Sequence, residues 1–330
     1  MPQQDKKTAS PNVDSGTLDQ PDDLEVVFAE ARRAGQGAPA KSKKFRTVNE
    51  GFHEFRNQLV PKYTESEIAS ATMHKIEACL KQAFDLSFVA PYGSRGHGTN
   101  VRNFSAIDSF AVIPKSALFE DSEKSLEKVR DALKQQFPDA YITEGRPVVA
   151  IPFGERRSEQ HHIVPSFQVG TEGEFDLFAV PAPREQWIHI CPAAHSAWLS
   201  DLNDTLNTNL KDFIRVVKAW SYFNDDIVWR YYLELCAADY LKNDSQIVYS
   251  RDLSRFFSYL ANRELAPFED TAGCNTPVYG TSIADRDTAL AFIQTTCEMS
   301  EKAVSCEQRG NIPDAFYWWR KIFDWQFTSF

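Results

Sequence analysis

The chain has 330 residues, of which 42% are hydrophobic, 25% charged and 13% aromatic. This composition is typical of a globular protein with a large core, and it excludes fibrous and mostly disordered classes. The formal net charge is −10, from 36 Lys and Arg against 46 Asp and Glu. Such a charge argues against an extended basic surface for duplex nucleic acid, so we expect any nucleotide to be bound in a local pocket.

The sequence predicts a cytoplasmic protein without membrane attachment. No stretch approaches the roughly 18 consecutive apolar residues of a membrane helix, and the first residues lack the apolar core of a signal peptide. The six cysteines are scattered without a C-x-x-C pair. We therefore expect reduced thiols rather than a zinc knuckle or a disulfide framework.

Residues 1–44 are rich in Pro, Ser, Gly, Gln and charge, and they predict a flexible tail that cannot fold alone. One segment differs, because Leu24, Val27, Phe28 and Ala31 follow helical spacing. It forms either a short amphipathic helix that docks on the body or a partner, or a transient helix without a role.

Residues 45–193 predict a mixed lobe with a mostly antiparallel sheet. A Thr64-x-x-Glu67 capping box predicts the start of a long helix over 66–83. The remaining elements follow in chain order: β runs at 86–90 and 107–113, a helix at 122–136, and β runs at 140–143, 147–153, 161–167 and 175–180. A Gly-rich turn separates the first two β runs.

Residues 194–330 predict a helical lobe, since helical apolar spacing continues to the end of the chain. Only the segment over 272–282, which carries Gly, Pro and Asn, is predicted as a loop. The predicted fold class is therefore α+β, with a sheet-containing lobe followed by a helical lobe.

The most informative motif starts at Gly93-Ser94, continues to Gly98-Thr99 and ends on a strand that carries Ala106-Ile107-Asp108. Backbone N–H groups and a hydroxyl after a strand can bind phosphate, and glycine lets the chain approach the anion closely. Strand alternation turns Asp108 and Phe110 to one face of the sheet and Ile107 to the other.

With this motif the chain resembles the DNA polymerase β-like nucleotidyltransferases, and specifically the bacterial relatives of cyclic GMP-AMP synthase, the CD-NTases with a SMODS domain. Further segments share the likeness: HIVPSF at 162–167, AVPAPREQWIHICPAAHSAWLSDLN at 179–203, FIRVVKAW at 213–220, RYYLELCAADYL at 230–241 and WWRKIFDWQF at 318–327. The resemblance covers about residues 45–330. It implies a polymerase β-like lobe and a helical lobe around a central cleft, which join NTPs such as ATP or GTP into cyclic or short oligonucleotide messengers for antiviral signalling.

The resemblance also implies two Mg²⁺ or Mn²⁺ ions held by three carboxylates. Matched position by position, these carboxylates fall on Ala106, Asp108 and His162, so one acid of three is present. His161 and His162 point to opposite faces of a strand and cannot bind one ion together. His162 is a candidate ligand beside Asp108, whereas Glu159 has the wrong parity to replace it.

The nucleotide-binding residues that the resemblance implies are Gly93, Ser94, Thr99, Lys218, Arg230 and Tyr231. Ser94 and Lys218 match residues that contact phosphates, and Tyr231 matches a base-stacking tyrosine. Arg230 stands where the family has a serine. His97 is a further candidate for a phosphate contact.

Two functions from different classes follow. The chain is a cyclic-oligonucleotide synthase, inactive or impaired because Ala106 and His162 replace carboxylates, or it is a pseudoenzyme that senses a nucleotide or regulates an effector protein, with the tail as a candidate contact. A polynucleotide end-modifying transferase is a weaker third hypothesis, which the acidic balance disfavours. An engineered replacement would explain Ala106, but His162 is not a usual engineered residue.

Overall fold

The computed structural model describes residues 45–143, 147–153, 159–182, 186–205, 209–243, 246–270 and 276–330. The chain divides into two units, Met1–Lys44 and Phe45–Phe330. The first unit, with the helix predicted around Val27, lies outside the described residues. The second unit is not divided further, so a lobe boundary after residue 193 stays a prediction.

The described residues form ten α-helices and nine β-strands. The helices are α1 Val48–Leu59, α2 Tyr63–Ala83, α3 Gly93–His97, α4 Ser122–Lys134, α5 Pro192–Thr205, α6 Leu210–Phe223, α7 Arg230–Leu241, α8 Tyr249–Arg263, α9 Arg286–Gln308 and α10 Ile312–Ile322. The strands are β1 Phe88–Pro91, β2 Ile107–Val112, β3 Tyr141–Ile142, β4 Val149–Phe153, β5 Glu159–Glu172, β6 Phe175–Ala182, β7 Gln186–Ile190, β8 Phe268–Asp270 and β9 Thr276–Val278. Within the described ranges, every helix is too short or too polar to span a lipid bilayer.

The first two helices begin with reciprocal caps. Thr47 accepts the Glu50 N–H at 3.1 Å, and Glu50 in turn accepts the Thr47 N–H, which is a capping box. For α2 the predicted start was wrong. The helix begins at Tyr63, so Thr64 lies inside it. The Lys62 N–H donates to Glu65 Oε2 at 2.9 Å, so the capping acid is Glu65, two residues before the predicted Glu67.

The main sheet is mixed and mostly antiparallel, as predicted. Its order is β1-β2-β5-β4-β3, and β6 pairs with β5 and with β7. Only β2 and β5 run parallel, and this pairing brings two distant segments side by side. The register places Ile107 opposite His161 and Asp108 opposite His162.

Three local predictions were wrong. The predicted turn after β1 contains the short helix α3. Strand β7 lies where no strand was predicted, and β9 lies within the predicted loop over 272–282, where it pairs antiparallel with β8. Short strands of this kind are set by a partner strand rather than by their own periodicity.

The two faces of the main sheet bury different surfaces. On one face α2 and α4 pack with strand residues in a core that includes Ile76, Leu80, Leu133 and Ile163. On the other face lies a small aromatic and aliphatic cluster around Phe110 and Phe178, and Asp108 shares that face with Phe110 by strand alternation.

The helical region has its own large core, and α1 belongs to it. Phe52 of α1 packs edge-on against Trp319 at 5.0 Å, and Phe55 packs against Phe323 at 4.8 Å between ring centroids. Such pairs stabilise a core beyond their buried area. The start of the folded unit is therefore packed with its end.

Candidate functional site

The centre of the predicted site is a contact between neighbouring strands. Asp108 on β2 and His162 on β5 are register partners, and each residue is about 8% exposed. His162 Nδ1 lies 3.1 Å from Asp108 Oδ1. The remaining acid of the motif is thus hydrogen-bonded to the histidine that stands at the third carboxylate position.

The other ring nitrogen of His162 also has a protein partner. Its Nε2 lies 3.1 Å from Gln160 Oε1, and the Gln160 amide donates to the Tyr141 hydroxyl at 3.0 Å. Both imidazole nitrogens are therefore in hydrogen-bonded contact with protein oxygens. The ring is fixed in place beside Asp108.

Gly93 allows the Gly-rich segment to reach Asp108. Its φ is +59°, and a Cβ at this position would lie 2.9 Å from Asp108 Oδ2. Any larger residue would be strained in its backbone and would press on the carboxylate. Ser94 follows, half-buried, in α3, so the structure brings Gly93, Ser94 and Asp108 together.

Lys218 and Thr99 lie in the interior instead, around Glu234 of α7. Lys218 Nζ contacts Glu234 Oε2 and donates to Thr99 Oγ1 at 2.8 Å, while Thr99 Oγ1 donates to Glu234 Oε2 at 2.7 Å. Lys218 is 3% exposed and Thr99 and Glu234 are 0% exposed. This geometry does not support the predicted phosphate contact of Lys218, because the buried ammonium is paired with a buried acid. It likewise does not support nucleotide binding by Thr99, whose hydroxyl is bonded to Glu234.

Two histidines complete the same cluster. His97 Nδ1 lies 2.6 Å and His195 Nε2 lies 3.0 Å from Glu234 Oε1. Among the described residues, His97, His195 and Glu234 are close enough to share a metal ion. However, the Lys218 ammonium already neutralises Glu234, and a divalent ion would add buried charge without a counterion. We therefore interpret the cluster as a hydrogen-bonded network that ties α3, α5, α6 and α7 together, and the predicted phosphate contact of His97 is not supported.

The charges in this network depend on each other. Burial raises the pKa of Glu234, but the Lys218 and His97 charges and the imidazole hydrogen bonds together hold it well below its usual range. Burial lowers the pKa of Lys218, and Glu234 opposes that shift. Burial likewise lowers the pKa of His97. The four donors account for the lowered pKa of Glu234, whereas burial outweighs the charge of Glu234 at Lys218 and His97.

Arg230 and Tyr231 lie at the start of α7. The Arg230 guanidinium stacks over the Tyr222 ring at 4.3 Å and pairs with Asp226. Burial lowers the pKa of Arg230, but Tyr222 and the acids Asp226 and Asp108 raise it overall, which places its charge within reach of Asp108. The Tyr231 ring is 37% exposed and its hydroxyl lies 3.3 Å from His195 Nδ1, so its face can take part in stacking.

Comparison with known families decides the assignment. The family model of the Second Messenger Oligonucleotide or Dinucleotide Synthetase domain, SMODS, matches residues 47–203. Residues 47–203 are therefore similar to a SMODS domain. No curated protein sequence matches the chain.

Solved structures share the fold of the SMODS domain and of the helices that follow it. E. coli MS115-1 CdnC, solved with ATP, has a TM-score of 0.65 at 18% identity and covers 84% of this chain and 98% of its own. The same protein in its CdnC:HORMA-deltaN complex has a TM-score of 0.65 at 17% identity, over 84% and 98% of the two chains. Vibrio cholerae DncV cyclic AMP-GMP synthase, solved with the linear intermediate 5′ pppA(3′,5′)pG, has a TM-score of 0.59 at 12% identity, over 95% and 92%.

At these identities the structures show the fold alone. They confirm the predicted α+β class with a polymerase β-like nucleotidyltransferase lobe and a helical lobe. The SMODS match thus concerns residues 47–203, and the shared fold extends the likeness to CD-NTase structures beyond that segment.

The side chains of this SMODS domain do not fit two divalent ions. Mg²⁺ requires several oxygen ligands in octahedral geometry, and Ala106 offers none. At the third position His162 presents nitrogens that already contact Asp108 and Gln160. The candidate metal ligand His162 is therefore not supported, and we derive no step that passes through a metal ion.

Sequence reasoning assigned no role to Glu234, His195, Tyr222 and Gln160, which surround the SMODS motif residues. One signal was available for Glu234, since a lone acid within the apolar run of α7 must find a buried partner. The contact of Tyr222 with Ser105, at 3.0 Å between the hydroxyl oxygens, spans 117 positions and leaves no local signal.

Proposed function

We propose that this protein is a nucleotidyltransferase of the cyclic-oligonucleotide synthase type that binds a nucleoside triphosphate in the SMODS cleft and is impaired in nucleotidyl transfer. The observation that carries the proposal is the Asp108–His162 hydrogen bond at 3.1 Å. It joins the one remaining acid of the motif to a side chain that carries no negative charge to hold a metal ion.

The retained parts of the cleft are those that hold a nucleotide. Gly93 lies against Asp108, and Gly93 and Ser94 offer backbone N–H groups and a hydroxyl to the triphosphate. Arg230 supplies a positive charge near Asp108, and the exposed face of Tyr231 offers a stacking surface to the base. We propose that ATP or GTP is bound by these four residues.

The proposed reaction is the attack of a ribose 2′ or 3′ hydroxyl oxygen on the α-phosphorus of an NTP. A phosphodiester bond forms, the bond to the β-phosphate oxygen breaks, pyrophosphate leaves, and the hydroxyl proton passes to solvent or to a base. In this reaction class, positioned cations provide most of the rate enhancement. Because Ala106 and His162 cannot provide two of the three carboxylates, we expect Mg²⁺ or Mn²⁺ to accelerate the reaction weakly or not at all.

The comparisons support the substrate class. CdnC was solved with ATP, and DncV is a cyclic AMP-GMP synthase. We extend NTP binding from these proteins to this chain because the fold is shared and Gly93, next to Ser94, lies close to Asp108.

The test measures binding and transfer separately. The full chain is incubated with the four NTPs and Mg²⁺ or Mn²⁺, and products are separated by chromatography. Unfolding is followed with and without ATP, which at 100-fold excess over its dissociation constant stabilises a protein by about 2.7 kcal/mol. We expect stabilisation by ATP or GTP with little or no product, whereas product formation at a rate typical of an enzyme would contradict the impairment.

A second candidate function is a nucleotide-sensing module that regulates a partner protein. It is favoured by the same hydrogen bond, because a cleft that binds without turnover can report nucleotide concentration. CdnC forms a complex with HORMA-deltaN, so a protein partner is a reasonable extension to this chain. Product that appears and is lost in Asp108→Asn would exclude this function.

A further inference from the structure

A cavity lies between the start of α2 and the segment that joins α3 to β2. Its volume is about 340 Å³, within the usual range for small-molecule sites. Its walls include Ser66 and Ala69 of α2, Arg95 of α3, and Phe153 and Gln160 at the ends of β4 and β5. Ala106, at the first carboxylate position of the motif, also borders the cavity, whereas Gly93, Ser94, Asp108 and Tyr231 do not line it.

The cavity wall is positively charged although the whole chain carries a net charge of −10. Three arginines and one glutamate line it: Arg95, Arg102, Arg215 and Glu65. A local excess of positive charge inside a concave surface attracts anions more strongly than the net charge of the protein suggests.

Two of these arginines are already neutralised. Arg102 is held by Glu65 through three hydrogen bonds of 2.6 to 2.9 Å. Arg215 pairs with Asp212 and donates to the carbonyl oxygens of Gly98 and Asn100 at 2.7 and 3.0 Å. These two arginines therefore build the wall and are not available to a ligand.

Arg95 is different. Within the described part of the chain its guanidinium has no carboxylate within ion-pair distance, and its one hydrogen bond is a long contact of 3.4 Å to Ser70 Oγ. The side chain is half-buried, and burial lowers its pKa. A half-buried guanidinium, most of whose five donors are not bonded to described protein groups, can pair with an anion that enters the cavity.

We propose that this cavity is a binding site for a small phosphate monoester with an apolar or aromatic body, anchored by Arg95. A planar guanidinium matches two phosphate oxygens in a bidentate contact. The side-chain amides of Asn100 and Gln160 offer polar contacts, and Phe153 and Ile107 cover the apolar part. The site is new in that none of the nucleotide-binding residues predicted for the SMODS cleft lines it.

The binding test uses phenyl phosphate as the probe on the full chain, with calorimetry as the readout. We expect saturable binding that weakens about 10- to 100-fold in Arg95→Gln, the range for a lost hydrogen bond to a charged group. The control is Arg255→Gln on the exposed side of α8, which should bind the probe like the parent. Circular dichroism confirms that each variant is folded.

A second variant tests the cavity without changing charge. Ala69 is 2% exposed and lines the cavity, so Ala69→Leu should reduce its volume and weaken phenyl phosphate binding. Equal binding by the parent, Arg95→Gln and Ala69→Leu would overturn the proposal, as would the absence of binding at about 100-fold excess of probe over protein. Binding that is lost when ATP is added, and retained in Arg95→Gln, would place the phosphate in the cleft and would also overturn it.

Discussion

Two buried carboxylates on opposite sides of the Gly-rich segment are matched by very different partners. Glu234 is 0% exposed and accepts from Lys218, Thr99, His97 and His195. Asp108 is 8% exposed, touches the Gly93 backbone and pairs with His162. The first carboxylate is saturated by donors of the protein itself, whereas the second borders the cleft.

The two carboxylates have different roles, one in holding the fold and one at the edge of the cleft. A buried acid that is bonded to a lysine and two histidines fixes the positions of the helices that carry these residues. Removal of the acid is therefore expected to lower the stability of the fold. An acid at the edge of a cleft is expected to affect ligands more than folding. Because α3 contributes to both sites, one short helix links them.

The largest expected effect comes from breaking the saturated network. Glu234→Gln leaves the Lys218 ammonium buried without a counterion, and such losses destabilise proteins by about 3 to 5 kcal/mol. Urea unfolding followed by circular dichroism measures the change. Glu298→Gln on the exposed side of α9 is the control and should alter stability by less than about 0.5 kcal/mol. A small effect of Glu234→Gln would show that the network does not hold the fold.

A pH titration tests a histidine that lies beside neither carboxylate. Burial, and then the Arg95 charge, lower the pKa of His161 from 6.5 to about 4. Between pH 6.5 and about 4 the imidazole is protonated in the unfolded chain but not in the folded chain. The folded state therefore loses stability as the pH falls from about 7 to 4. The full shift corresponds to about 3 kcal/mol.

The measurement is the unfolding free energy of the parent and of His161→Asn at several pH values. We expect their difference to change with pH by up to about 3 kcal/mol, in the direction that favours the variant at low pH. His53→Asn, on an exposed side chain of α1, should follow the parent. Parallel curves for the parent and His161→Asn would contradict the assigned shift.

A smaller effect is expected from Gly93→Ala, which acts on the edge of the cleft. The new Cβ meets a φ of +59° and lies 2.9 Å from Asp108 Oδ2, so we expect a loss of about 1 to 3 kcal/mol and weaker ATP binding. Gly173→Ala is a matched control, because its φ is +60° and no atom lies within 4 Å of the new Cβ. It should show the backbone cost alone, about 1 kcal/mol. Equal losses in the two variants would argue against the close contact with Asp108.

The alternation of side chains along each strand, read from the sequence, predicted which residues of the cleft share a face. His161 and His162 do face opposite sides, since His161 packs on Phe153 while His162 contacts Asp108. The alternation of side chains along β2 can be predicted from the local sequence alone. The parallel pairing of β2 with β5 was not predicted, because no local pattern reports the direction in which two distant strands pair.

The interior network could not be predicted in the same way. Lys218 matched a phosphate-binding lysine in the motif, yet its partner is Glu234, one helix away. Thr99 and Glu234 are 135 positions apart, and packing between elements decides such contacts. The cap of α2 at Lys62 was missed for a simpler reason, because two acids, Glu65 and Glu67, competed for the same role.

The most direct test of the central claim restores the missing acids. In Ala106→Asp/His162→Asp the β2–β5 face again carries three carboxylates with Asp108, and the account predicts that NTPs with Mg²⁺ then yield oligonucleotide product at a rate at least about 100-fold above that of the parent chain. Each single substitution should give less. Equal product from the parent and the double variant, with both chains folded and both bound to ATP, would contradict the claim that these two positions limit nucleotidyl transfer.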